Sequence, residues 1–188
     1  MSSDSHKLFH TPIWGFIISS EHYHASDYID KLRSIQKTEP SESKSNFGGY
    51  QTRDTLETEG VFQELIKNHI VPISQNIIKD YCTGEAVVTE MWGNINDKYN
   101  YNQAHIHSGA LSGVFYLQVP ENSGKIVFVN PAPRSTGHLI RQNDYDVQPQ
   151  NLLLLLFPSW LEHYVEQNMS DESRISLSFN IGVKNAIS

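Results

Sequence analysis

One cysteine, Cys82, is all that the 188 residues contain. No internal disulfide can form, and the fold must be held by its own core, as fits a reducing compartment. Positive charge is also in deficit. Fourteen Lys and Arg stand against 21 Asp and Glu, for a formal charge of -7 and a pI of about 5.7, which speaks against a nucleic-acid backbone or an anionic membrane surface as the main partner. Long apolar runs are missing. The longest, Leu152 to Phe157, is far short of the roughly 20 residues that span a bilayer. Met1 to His10 holds no apolar segment, so no secretion signal is expected and a cytoplasmic location is. Neither an internal repeat nor a low-complexity tract is present. A chain of this length is expected to form one domain, 1–188, burying roughly 70% of its extended-chain surface.

What is present divides near Gly84. Before it the apolar residues recur at helical spacing. Leu8 to Ile18 reads as an early strand or arm broken at Pro12 and Gly15, and Ser26 to Lys37 as a helix with Ser26 at its N-cap. Thr38 to Phe47 reads as a polar loop, leading to the glycine-entered segment Gly48 to Thr52. Gly60 to Tyr81 is a second helical region that Pro72 kinks or splits. After Gly84 the period falls to two. Strands are expected over Ala86 to Asn96, Ala110 to Val119, Lys125 to Val129, Leu152 to Phe157, Leu161 to Glu166 and Arg174 to Val183. Lys98 to Ala104 reads as a loop, and Arg134 to Gln150 as a long polar loop of lid or rim type. Short strands after a helical layer predict a mainly β (α+β) fold, a jelly-roll or cupin-like barrel with the N-terminal helices (1–84) packed on one sheet of the strand core (85–188).

Nine histidines are many for this length, and three of them form a pattern. His105 and His107 alternate along an extended segment and so project side by side. His163 follows the apolar run Leu152 to Phe157. Three imidazoles from two strands can hold one face of a metal ion and leave the other open, as a catalytic metal needs. An H-x-H pair alone recurs by chance, so its surroundings matter. Ser112 and Tyr116 share one strand face, opposite Leu111, Phe115 and Leu117. In the last strand Arg174, Ser176, Ser178 and Asn180 oppose Ile175, Leu177, Phe179 and Ile181. Such a polar face is either the solvated side of a sheet or the lining of a cavity inside a barrel, and spacing leaves both open. Arg174 comes near His163 if 168–173 closes a hairpin. There its planar fork would pair with a ligand carboxylate; otherwise it forms a surface salt bridge with Asp171 or Glu172. Trp160 is a candidate substrate contact, and His138 a candidate lid residue.

The blocks HIHSGALSGVFYLQVPENSGKIVFVNP (His105 to Pro131) and LLLLLFPSWLEHYVEQNMSDESRISLSFN (Leu152 to Asn180), with LFHTPIW near the start and GGYQT at Gly48 to Thr52, resemble the 2-oxoglutarate- and iron(II)-dependent oxygenases. The likeness is nearest to the prolyl-hydroxylase-like branch and, within it, to a small subfamily of phage and bacterial genomes. It implies a double-stranded β-helix. It also implies a hydroxylase that consumes 2-oxoglutarate and O2, releases succinate and carbon dioxide, and uses ascorbate as a possible reductant. Carried over by position, it makes His105 and His163 metal ligands, Arg174 and Tyr116 the clamp on the far carboxylate of 2-oxoglutarate, and Ser176 and Asn94 further cofactor contacts. The wider family reads H-x-D, and here His107 takes the aspartate position. His107 then ligates directly, or stands behind a water, or leaves the site defective. Two other functions stay open: a three-histidine cupin-type dioxygenase that does not use 2-oxoglutarate, and a non-enzymatic jelly-roll binding or structural module. The substrate, whether protein, peptide or small molecule, and the oligomeric state are not encoded in any readable motif.

Overall fold

The computed structural model describes residues 10–19, 25–132 and 144–187. Two sheets face one another. The larger holds six strands in the order β1-β9-β6-β11-β4-β3, and the smaller five in the order β2-β5-β10-β7-β8. Every named strand pair is antiparallel. This is the double-stranded β-helix. Its strands are β1 (Trp14–Ile17), β2 (Asn46–Phe47), β3 (Tyr50–Gln51), β4 (Thr83–Asn96), β5 (Tyr101–His105), β6 (Leu111–Gln118), β7 (Ile126–Val129), β8 (Asp144–Val147), β9 (Leu153–Pro158), β10 (His163–Val165) and β11 (Arg174–Ile187).

The leucine run explains the layering. Leu154 and Leu156 of β9 point outward into a core shared with the helices, whereas Leu153, Leu155 and Phe157 point inward between the sheets. A strand covered on both faces has no use for polar alternation, so it reads as one continuous apolar run. Helix α1 (Ala25–Thr38) lays Tyr28, Leu32 and Ile35 on the outer face of the large sheet. The second helical segment passes from α2 (Gln63–Leu65) through a π-helical stretch (Ile66–Ile70) into α3 (Val71–Ile78). Helical backbone runs through Pro72 without a break. The proline sits in the first turn of α3, where its missing N–H matters least, and the widened π turn before it absorbs the lost hydrogen bond. No helix among the described residues is long and apolar enough to cross a membrane.

Several expectations need correction. Lys98 to Ala104 is not wholly loop: Tyr101–His105 forms β5, paired with β10 and β2. Its sequence YNQAH has no apolar alternation; the backbone ladder holds it in the sheet, with Tyr101 stacked on Phe47 of β2 and Asn102 bonded to Asn96 and Ser45. Asn46–Phe47 likewise is a strand within the segment read as loop. Gly15 does not break β1 but pairs with Leu155 inside it. Part of the expected lid, Asp144–Val147, is strand β8 against β7; residues 133–143, including His138, lie outside the described residues, as do His6, His22 and His24. The glycine pair has a steric reason. Gly48 has φ +74°, and a Cβ at Gly49 would lie 2.1 Å from Asn96 Oδ1, so the β2–β3 turn closes directly on β4.

Leu154 is fully buried between β9 and the helices. The Leu154→Ala variant is expected to lose about 3 kcal/mol of stability, in line with cavity-forming core truncations. A lowered urea midpoint with an unchanged slope checks this.

Candidate metal centre

The site is built by an irregularity in β5. Across the β5–β10 pair His105 opposes His163, and Asn102 opposes Val165. Three residue steps on β5 therefore match two on β10, a β-bulge. The extra residue lets Asn102 and His105 face the same cavity although their spacing is odd. His107 lies just beyond the strand, where its backbone N–H donates to the carbonyl of Ser159 at 2.9 Å. The three rings converge, with centroids 4.8 Å apart for His105 and His107, 4.4 Å for His105 and His163, and 5.2 Å for His107 and His163. One nitrogen from each lies within 4.8 Å of the others.

Protonation states follow from the partners. His105 Nδ1 lies 2.6 Å from the carbonyl of Gln103, and His163 Nδ1 lies 2.9 Å from that of Leu161. A carbonyl only accepts, so each Nδ1 carries the proton and each Nε2 is bare. Burial lowers all three pKa values: that of His107 to about 4, with His105 adding to the effect, and that of His163 to about 3, with His105 next in weight. Neutral imidazoles with inward lone pairs are the donor set that a divalent transition metal takes. No acidic group among the described residues joins the cluster, so the residues fit a three-histidine metal.

The other end of the same cavity is cationic. Arg174 is 3% exposed, and among the described residues no carboxylate pairs with it. Its Nη1 donates to the carbonyls of Ser123 and Glu166, and its Nη2 has no partner among the described residues. The surface alternative fails, because Asp171 is engaged by Lys98 at 2.7 Å. Tyr116 is buried beside Arg174; burial pushes its hydroxyl up to about 12, and the Arg174 charge pulls the other way.

The polar face of β11 is thus cavity lining and not a solvated surface. Ser176 opposes Asn94 on β4 and Tyr116 on β6, so those three side chains form a row across three strands. All three line the cavity with Arg174 and the histidines. Asn94 Nδ2 donates to Ser178 at 3.0 Å, and its Oδ1 is unpartnered among the described residues. Four further lining residues did not stand out as candidates. Asn96 shares the inward parity of Asn94, a signal that was available. Trp92, packed 5.4 Å from His107, shares it too. Ser45 and Asn102 lie in segments that read as loop, where no parity exists. Trp160 is 55% exposed and outside the lining.

Comparison with known proteins agrees with this geometry. Residues 90–180, which span all three histidines and Arg174, match the family model described as putative 2OG-Fe(II) oxygenase. No curated protein matches. Among solved structures, the non-heme alpha ketoglutarate dependent epimerase SnoN from nogalamycin biosynthesis superposes with a TM-score of 0.70 at 13% identity, covering 93% of this chain and 77% of that one. HygX from Streptomyces hygroscopicus, with nickel, 2-oxoglutarate and hygromycin B bound, gives 0.66 at 13% identity over 93% and 84%. A Pseudomonas putida prolyl-4-hydroxylase gives 0.65 at 14% identity over 93% and 94%. At such identities the likeness is one of fold.

The depressed histidines carry a pH signature. The unfolded chain takes protons near the ordinary value of 6.5, which the folded site refuses until about pH 4 and below. Metal-free protein is therefore expected to lose stability as pH falls from 6.5 toward 4, by an amount that shrinks in His163→Ala. Urea midpoints at pH 7 and pH 5 measure it.

Proposed function

We propose, taking as premise that residues 90–180 match the 2OG-Fe(II) oxygenase family, that the chain is an iron(II)- and 2-oxoglutarate-dependent oxygenase with His105, His107 and His163 as its metal ligands. The observation that carries the co-substrate is Arg174, a buried guanidinium that has an open Nη2 and pairs with no carboxylate among the described residues, set in one cavity with the histidines. A buried cation without a counter-charge is costly. A dicarboxylate that reaches from the histidines to Arg174 removes that cost.

Iron(II), when bound, supplies the oxidative decarboxylation of 2-oxoglutarate to succinate and carbon dioxide and the oxidation of substrate by O2. The chain's own residues bind and orient. His105 and His163 offer Nε2, each held in its tautomer by a backbone carbonyl, and His107 completes the face. Arg174 anchors the far carboxylate through charge-assisted hydrogen bonds, with Tyr116, Ser176 and Asn94 beside it along the row. Tyr116 stays protonated at neutral pH and so remains a donor. Phe157, Val114 and Ile126 in the lining limit water.

One domain carries this chemistry; 1–84 adds the helices and also strands β1, β2 and β3 to the two sheets that 85–188 builds. Its setting is the cytoplasm, in keeping with the lone Cys82, and its origin bacterial or phage. The substrate is a protein, peptide or small molecule taken with O2. The three-histidine set also favours a second reading, a dioxygenase in which Arg174 binds the substrate's own carboxylate.

Anaerobic titration of 2-oxoglutarate into iron(II)-loaded protein is expected to give the visible charge-transfer band of a metal-bound keto acid. Arg174→Ala should require roughly 10- to 100-fold more 2-oxoglutarate, the worth of one charge-assisted contact. Iron binding without a band, with oxygen uptake independent of 2-oxoglutarate, would select the second reading.

A further inference from the structure

A line of hydrogen bonds runs along the cavity wall in one direction. Asn96, which opposes Arg174 across β4 and β11, donates through Nδ2 to Asn102 Oδ1 at 3.0 Å. Asn102 Nδ2 donates to Ser45 Oγ at 3.3 Å. Ser45 Oγ lies 3.4 Å from His105 Nε2. The direction of the last link is fixed by the others. His105 Nδ1 keeps the proton for Gln103, so Nε2 can only accept, and Ser45 donates to it.

The Ser45 hydrogen therefore points at the lone pair that a metal would take. The two cannot share it. When a metal occupies Nε2, the Ser45 hydrogen must find another acceptor, while its oxygen stays where Asn102 holds it. The main chain holds it too, since Gln103 N–H donates to the Ser45 carbonyl at 2.8 Å. Ser112 donates to Asn180 Oδ1 at 2.8 Å, and its oxygen lies 2.9 Å from Ser159 Oγ. Ser178 accepts from Asn94. Ser45 is the hydroxyl that hydrogen-bonds to His105 Nε2, so its donor is the one that metal loading frees.

We propose that Ser45 is a positioning residue for the co-substrate. Once metal takes His105 Nε2, the Ser45 hydroxyl turns to donate to the carboxylate at the keto-acid end of 2-oxoglutarate. Metal loading thereby creates the donor that the anion uses, and it favours metal before co-substrate. This rests on the 2-oxoglutarate reading above.

The test compares wild type, Ser45→Ala and Ser45→Thr in three anaerobic titrations: manganese(II) alone, 2-oxoglutarate into metal-loaded protein, and levulinate into metal-loaded protein. Levulinate keeps the far carboxylate and the ketone but has a methyl group in place of the carboxylate at the keto-acid end. Ser45→Ala should bind manganese as well as wild type or better, since a competitor for Nε2 is gone. It should need about tenfold more 2-oxoglutarate, with levulinate unaffected and the Thr variant restoring wild-type affinity. Unchanged 2-oxoglutarate affinity in Ser45→Ala, or equal weakening for both acids, would overturn the role of Ser45 alone. Failure of metal-loaded wild type to bind 2-oxoglutarate would overturn the underlying reading as well. If the Ala variant does not fold, Asn102→Ala, which removes only the hold on Ser45 Oγ and the link to Asn96, replaces it and should show the same selectivity between the two acids.

Discussion

A guanidinium held out of water, bonded to carbonyl oxygens and paired with no carboxylate among the described residues, is the constraint on which this structure turns. Arg174 begins β11, the strand that pairs with both β4 and β6 at the centre of the large sheet. Its position is thus fixed by two ladders and not by a flexible loop. The charge is stranded by the fold itself, since Ile175, Leu177 and Phe179 on the opposite face are committed to the helix-side core. Turning Arg174 outward would require slipping β11 by one residue and burying the serines in place of the apolar row. The apolar packing therefore stabilises the strand while it imposes the uncompensated cation, and the cavity inherits an appetite for an anion.

The metal end answers with a different kind of restraint. The cluster offers three neutral imidazoles and no carboxylate among the described residues, so a divalent ion there would keep its full double charge. Together with Arg174 this makes the cavity more positive than one with an acidic ligand, which favours an anionic ligand that spans both ends. It also widens the range of metals accepted, since imidazole alone suits zinc, nickel and copper as readily as iron. The backbone carbonyls of Gln103 and Leu161 then carry a task often given to side chains, that of fixing each ring's tautomer.

Much of this is legible in the sequence alone. The alternation of RISLSFN and the doubly buried leucine run were strong because period-two patterning is written wherever a face must be apolar. His163 and Arg174 are legible for the same reason, since they sit on or beside patterned strands, whereas His105 and His107 are legible by their H-x-H spacing. What sequence left open was which way the polar face looked, because a solvated face and a cavity lining demand the same residue types. Ser45 and Asn102 were invisible for a different reason. They sit on β5 and on the turn that leads into β2, where main-chain and side-chain hydrogen bonds hold the segment without a period-two apolar pattern. The π-helical passage before Pro72 was equally hidden, since a helix that widens keeps the same apolar stripe as one that breaks.

The bulge in β5 changes what kind of alteration the site can survive. Gln103 and Ala104, which span it, are exposed, and the bonds that matter there come from the Gln103 main chain, its carbonyl to His105 and its N–H to Ser45. Almost any side chain would serve at either position. Removing one residue would instead turn either Asn102 or His105 out of the barrel, because inward facing alternates with residue count. Over this stretch the centre depends on chain length and hardly on chemistry, so it tolerates substitution and is intolerant of deletion.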